Sequence, residues 1–394
     1  MNLFKIARRN ITVKPLNTVL SLVLLAFGVG IISLLIVVEN RLQDQFDRNI
    51  KDIDMVLGAK GSPLQLILAN VYHIDVPTGN ISRREAERIM KHPYIESGIP
   101  LAYGDNYAMH RIVGTTHAYH EHYGVQLGEG VLFDAPYTAT IGAAVAQTTG
   151  LKIGDTFYSA HGLKDATDVH ADHAFTVVGI YAESGSVIDQ LILTPMESVW
   201  GVHVEEAEER GENPEEEITA VLLKKKNALA IVTLPNLLRE TNMQIALPSI
   251  EINRLQTNFG IGMQTLRAIA LLIMAISFVS VFISLYTSLR DRRYELALMR
   301  TMGASRFTLF ALILLEGMLL TFAGIAVGLA TSRIGLLLLG DLVKDKFRYE
   351  IADMALLEGE YLLAIITIFV GVLASLLPAI AAVRIDISKT LADG

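Results

Sequence analysis

The chain has 394 residues, 52% of them hydrophobic, a formal net charge of −8 and no cysteine, with a mean hydropathy of +0.42. It is too apolar for an ordinary soluble domain, and its acidic balance argues against nucleic acid as a partner. Without cysteine, a disulfide framework, a thiol nucleophile and a Cys-based zinc site are all excluded.

Residues 1–14 place Leu3, Phe4, Ala7 and Ile11 on one helical face, with Lys5, Arg8, Arg9 and Lys14 mostly elsewhere. That pattern predicts an interfacial helix, or a plain basic flank. Leu16 to Val38 follows without a charge. About 20 apolar residues suffice to cross a bilayer core of about 30 Å. The run exceeds the usual signal-peptide length of about 7–15 residues and no A-x-A site follows it, so a retained first span is expected. Three further runs qualify, at about 268–289, 307–329 and 361–383; Glu316 is the one charge among them.

Orientation follows from the basic residues of short loops. Residues 1–14, the 290–306 loop (Arg290, Arg292, Arg293, Arg300, Arg306) and the tail after the fourth span (Arg384, Lys389) all carry them. Both termini and that loop are therefore expected inside. The fold class read from this is a membrane α-helical protein of four spans, with a large α+β extracytoplasmic domain between spans 1 and 2. The expected division is 1–38 (interfacial helix and span 1), 39–265 (outer domain) and 266–394 (spans 2–4).

In the outer segment, Ser82 with Glu85 three residues on reads as a capping box opening a helix at 82–91. Residues 175–181, 191–194 and 218–223 are β-branched apolar runs that predict strands. The acidic stretch 205–217 reads as a solvated surface. Residues 250–259 are expected to lead as helix into span 2, and residues 58–75 fit no general pattern.

Between spans 2 and 3 stands RYELALMRTMGASRF, residues 293–307. Leu296, Met299 and Met302 recur at helical spacing, with Arg293, Glu295 and Arg300 completing a short amphipathic helix. Gly303 suits the left-handed position just past its end, and Ser305 suits the N-cap of span 3. A rigid surface helix of this kind can receive a push from a partner; a basic connector is the plainer reading.

Glu316 lies about ten residues into span 3, roughly 15 Å along a helix. A carboxylate at that depth costs about 2.5–3.5 kcal/mol on insertion scales and needs a partner, neutralisation or water. Ser277, Ser280, Ser284 and Thr287 share one face of span 2 and are candidate partners, or a close-packing stripe. Gly324 and Gly328 form a G-x-x-x-G packing pair. No chain of charges crosses any span, which argues against an ion or proton route.

Residues 292–330 resemble the C-terminal core of the FtsX/MacB/LolC-LolE superfamily of ABC transporter permeases. The matches are Arg293, Glu295, Ala297, Leu298, Arg300, Gly303, Ala304 and Ser305, followed by Glu316 in an apolar span. The opening residues 5–31, and residues 141–157 with 175–200, are similar to the family's first span and periplasmic core domain. The resemblance implies that 293–303 is a coupling helix. Arg293, Tyr294, Glu295, Met299, Arg300, Met302 and Gly303 would then face a separate MacB/LolD-type ABC ATPase, two copies serving two permeases, identical or paralogous. The chain carries no G-x-x-x-x-G-K-[ST], so no catalytic residue and no cofactor is expected on it, with ATP and magnesium on the partner. The implied setting is the bacterial inner membrane, with the large domain in the periplasm.

All ten histidines lie between His73 and His203. HAYHEH at 117–122 and HADH at 170–173 hold metal-ligand residue types, and a zinc site at His161, His170 and His173 is one expectation, exposed loop histidines the other. The residues support three candidate functions. The first is a permease that couples ATP hydrolysis on its partner to movement of the periplasmic domain, moving or extracting a lipoprotein, lipid, peptide or amphiphile, alone or with a periplasmic carrier. The second is an FtsX-like regulator of a periplasmic enzyme, and the third a zinc-linked assembly.

Overall fold

The computed structural model describes residues 3–13, 15–160, 169–201, 216–347 and 355–384, with backbone alone at 13, 169–172 and 339–347. The acidic stretch 205–215 and His161 lie outside the described residues. The chain forms two units, one of residues 1–42 with 258–394 and one of residues 43–257.

The first unit holds the apolar helices. α1 (Leu3–Val13) precedes α2 (Pro15–Ile50); α9 (Pro248–Asp291), α10 (Arg293–Thr301), α11 (Arg306–Phe347) and α12 (Glu358–Val383) come from the second half of the chain. α2, α9, the 306–338 part of α11 and α12 are each long and apolar enough to span a bilayer. Their packing depends on small residues. At Gly324 an added Cβ would stand 2.5 Å from Leu25 Cδ2, and at Gly328 2.8 Å from Val29 Cβ, so the G-x-x-x-G pair seats α11 against α2. Gly371 receives Thr321 and Gly317 receives Ser375, which draws α12 onto α11 in the same way. Ala7 of α1 is fully buried with Leu309, Leu312, Ala379 and Ala382, and the basic Lys5, Arg8 and Arg9 are exposed.

The second unit is α+β. Its main sheet runs β12-β1-β11-β3-β4-β9-β6-β8-β5, with β7 pairing β3 and β8. These strands are β1 (Met55–Ala59), β3 (Ile95–Tyr107), β4 (His110–Thr115), β5 (Leu127–Gly130), β6 (Thr138–Ile141), β7 (Thr156–Ala160), β8 (Val169–Tyr181), β9 (Leu191–Pro195), β11 (Ala220–Lys225) and β12 (Met243–Ala246). β4 with β9 and β6 with β8 are parallel pairs, whereas β1 with β11 and β11 with β3 are antiparallel. The helices are α3 (Pro63–Asn70), α4 (Arg83–Met90), α5 (Ala118–Tyr123), α6 (Ala143–Thr149), α7 (196–201) and α8 (Leu229–Leu237).

The three predicted strands lie in β8, β9 and β11, the last cut short by Thr219, which leaves β2 (Ile81–Ser82) and β10 (Glu217–Ile218) as a separate pair. Thr219 Oγ1 instead accepts the Tyr103 amide at 2.9 Å. The Ser82 hydroxyl makes no cap bond to α4. That residue is held extended by pairing with Glu217, so the capping-box reading does not describe it. The 58–75 stretch is β1 turning into α3; Leu66 covers Gly58 so closely that a Cβ there would lie 2.4 Å from Leu66 Cδ1. Ser62 caps α3 by accepting the Gln65 amide at 3.4 Å.

Candidate functional site

The 290–306 loop folds as the sequence spacing predicts. α10 stops in two backbone bonds, Gly303 N to Arg300 O at 3.1 Å and Ala304 N to Met299 O at 3.0 Å. Gly303 takes φ +99° between them. That pattern closes a helix where only a residue without Cβ turns freely. Ser305 Oγ then accepts the Thr308 amide at 3.1 Å and starts α11. The turn is thus built, not slack.

The faces of α10 divide sharply. Leu296 and Ala297 are buried in the helical unit, and Met299 packs against that same cluster. Arg293, Tyr294, Glu295, Leu298 and Met302 are exposed; Arg300 is half-buried and Gly303 exposed. Tyr294, Leu298 and Met302 stand four residues apart, a single ridge on the open side. Leu298 belongs to that ridge although the threefold spacing of Leu296, Met299 and Met302 points elsewhere; its i, i+4 relation to Tyr294 was the available signal.

Below α10 lies a buried polar knot. Arg292 Nη2 donates to both carboxylate oxygens of Glu316, at 2.9 and 3.2 Å, and to Ser288 Oγ at 2.8 Å. Asn10 Nδ2 donates to Glu316 Oε1 at 2.6 Å. The Arg292 and Glu316 side chains are 11% and 3% exposed. The partners of Glu316 are therefore a cation and an amide rather than the serine stripe. Ser280 bonds Ser21 of α2 at 3.0 Å, and Ser277 donates to its own helix at Ile273 O, 2.7 Å. Ser284 lines a small cleft with Asn10, Ser288 and Glu316.

A second ion pair lies further along α11. Arg333 Nη2 donates to Glu360 Oε2 at 2.7 Å and to Ala355 O at 3.1 Å. Ser33 donates to Glu360 Oε1 at 2.6 Å and takes Ser332 as its hydroxyl partner at 2.8 Å.

Among the histidines, His173 lies flat on Tyr137, with ring centroids 4.9 Å apart. The side chain of His170 and all of His161 lie outside the described side chains. Among the described residues no three His, Asp or Glu groups stand together as a metal would require. His73 donates from Nδ1 to Tyr103 Oη at 2.5 Å and accepts at Nε2 from Tyr119 Oη at 2.7 Å, a tautomer fixed because Tyr103 in turn donates to Ala69 O. Burial, with the Arg111 guanidinium second, holds His73 well below its ordinary value, and burial pushes Tyr103 up. His73 is thus a neutral strut between α3, β3 and α5.

The MacB-like periplasmic core domain matches residues 18–233, more than half of the chain, and the FtsX-like permease C-terminal domain matches residues 267–387. The chain belongs to the MacB- and FtsX-like family of ABC transporter permeases. The periplasmic region of MacB from Actinobacillus actinomycetemcomitans is 14% identical over 53% of this chain and 95% of that one, with a TM-score of 0.36. The extracellular domain of the noncanonic ABC-type transporter YknZ from Gram-positive bacteria is 12% identical over 48% and 98%, with a TM-score of 0.30. At those scores the two family matches, and not the structural likenesses, carry the assignment. No curated protein matches the chain. As a permease of this family, the chain is a multi-pass inner-membrane protein whose domain between the first two spans is periplasmic, which puts α10 on the cytoplasmic side. Such permeases are the non-catalytic subunits that work with ABC ATPase partners.

Proposed function

We propose that this permease is a mechanical transmitter. A separate ABC ATPase docks on α10, and its nucleotide cycle moves the spans and through them the periplasmic unit, which handles a lipoprotein, lipid, peptide or other amphiphile. The observation that supports this reading is the two-faced α10. One face is locked into the helical unit by Leu296, Ala297 and Met299. The other offers Tyr294, Leu298 and Met302 beside Arg293 and Glu295. An aromatic and two flexible apolar groups ringed by charge make up an interface core with a polar rim. Met adds adaptability to such a contact. Two copies of the permease, or this chain with a paralogue, complete the assembly.

Affinity purification of the full chain from its own membranes, with mass spectrometry of the co-eluting proteins, tests the proposal. Recovery of an ABC ATPase whose turnover depends on the permease is expected. A preparation that acts on its periplasmic substrate with no ATPase present would refute it.

A further inference from the structure

We propose that Arg292 is a positioning residue that makes α10 an arm of α11 instead of an extension of α9. This rests on the reading of α10 as the ATPase-docking helix. α9 ends at Asp291 and α10 begins at Arg293, so a single residue separates them. Its backbone, φ −103° and ψ 17°, is not helical. A one-residue break is a hinge unless something spans it. The side chain of the same residue turns inward and takes both oxygens of Glu316, ten positions inside α11, while also donating to the Ser288 hydroxyl and carbonyl one turn back on α9.

The far end of α10 reaches α11 as well, through the capped turn at 302–305. α10 therefore touches α11 at both of its ends: covalently near Arg306 and by an ion pair at Glu316. Arg306 and Glu316 lie about 15 Å apart along the helix, and α10 is about 13 Å long at 1.5 Å per residue. The three edges close a triangle. A load on α10 in this frame acts on α10 and α11 together with Arg292 and Glu316 still joined, and the neutral bonds from Arg292 to Ser288 of α9 are the ones that give. The load is passed to α11 first. Asn10 holds the same carboxylate from α1, and Ala7 of α1 shares the apolar cluster of Leu296, which steadies the frame from a third element.

The geometry thus assigns α11 as the span that travels with α10, and α9 as the span against which both move. The natural chain has no cysteine, so paired labels can be placed without background. In the full permease bound to its co-purified ATPase, spin-label pairs at Thr301→Cys with Phe322→Cys, and at Thr301→Cys with Ile276→Cys, report α10–α11 and α10–α9. Going from the nucleotide-free state to ATP with vanadate, the α10–α9 distance is expected to shift and the α10–α11 distance to stay fixed. Glu316→Gln keeps the volume and an acceptor for Asn10. It should retain the ATPase but make the α10–α11 distance nucleotide-dependent and the coupling of ATP turnover to the α10–α9 shift several-fold weaker. Arg292→Lys should lie between the two. A Phe322–Phe369 label pair monitors the bundle itself. If Glu316→Gln broadens that pair as much as the others, the ion pair only supports folding and the proposal fails. It fails equally if the variant keeps α10–α11 fixed while α10–α9 still moves. No ATPase recovered with the unaltered chain would instead overturn the docking reading beneath it.

Discussion

Leu298 separates the proposed docking surface from the fold, because it sits one position from Ala297 and two from Leu296 on the opposite face. Leu298 is 45% exposed and Leu296 is 2% exposed. Fully burying a leucine is worth about 1.5–3 kcal/mol, so covering the open half of Leu298 is worth about 1 kcal/mol. Tyr294 and Met302, 51% and 73% exposed, raise the total for the ridge to about 2.5–5 kcal/mol by the same scale. Leu298→Ala should therefore weaken ATPase association roughly five-fold, at about 1.4 kcal/mol per tenfold, and leave the melting temperature unchanged. Leu298→Asp adds an unpaired charge to a desolvated contact and should abolish co-purification. Leu296→Ala should do the reverse, costing about 2–5 kcal/mol of stability as a core truncation. The assay is quantitative retention of the ATPase on the immobilised permease, paired with thermal unfolding of each variant. If Leu298→Asp retains the ATPase at the native level, the exposed ridge is not the docking surface. If it melts as early as Leu296→Ala, the division of faces is mistaken.

Gly328→Ala would put a Cβ 2.8 Å from Val29 Cβ and 2.9 Å from Ala26 O; it should cost about 1–3 kcal/mol by overpacking. Gly260→Ala meets open space among the described residues and should gain up to about 1 kcal/mol from helix propensity, both read by thermal unfolding in detergent. A loss at Gly260 would mean that a partner covers that stretch of α9. The periplasmic unit should weaken on acidification. His73 is held below its ordinary 6.5 by burial and then by Arg111, so the unfolded chain takes the proton first as pH falls. This stability is complete above about pH 6.5 and declines below it, by at most about 1.4 kcal/mol per pH unit for this group. His120 and His122 are shifted the same way by burial, so His73→Gln should lessen the slope and not remove it. Equal slopes with and without His73 would contradict this. Calorimetry of the full chain with zinc should show no submicromolar binding, and a tight stoichiometric event would give the 161–173 region a metal role.

The sequence made the helical unit legible because lipid imposes a simple code. Uncharged runs of the right length, basic short loops and small residues at fourfold spacing were all readable, and G-x-x-x-G at 324–328 was readable as a packing pair, though not its partner α2. Gly303 and Ser305 were readable because each satisfies a local backbone need. The knot was not. Arg292 and Glu316 are 24 positions apart, and Asn10 comes from the other end of the chain, so no periodicity relates them. The serine stripe looked like a partner set because helical spacing shows a face without showing what lies opposite. Ser82 misled for a related reason: a capping pattern is local, and the competing strand partner Glu217 is not. Leu298 was hidden by its own neighbours, since an apolar residue in an amphipathic helix is expected to face inward.

α11 is clamped near each end by oppositely arranged charges, Glu316 to Arg292 and Arg333 to Glu360. A helix gains about 5.4 Å per turn, and no second acid or base stands one turn away from either clamp in that segment, at 312, 320, 329 or 337. Piston-like sliding would thus unfasten both clamps together with no substitute waiting, whereas tilting or rolling about its axis can leave each intact. Under the proposed mechanism the stroke of this span is expected to be a rocking one, and a full-turn translation observed between nucleotide states would contradict it.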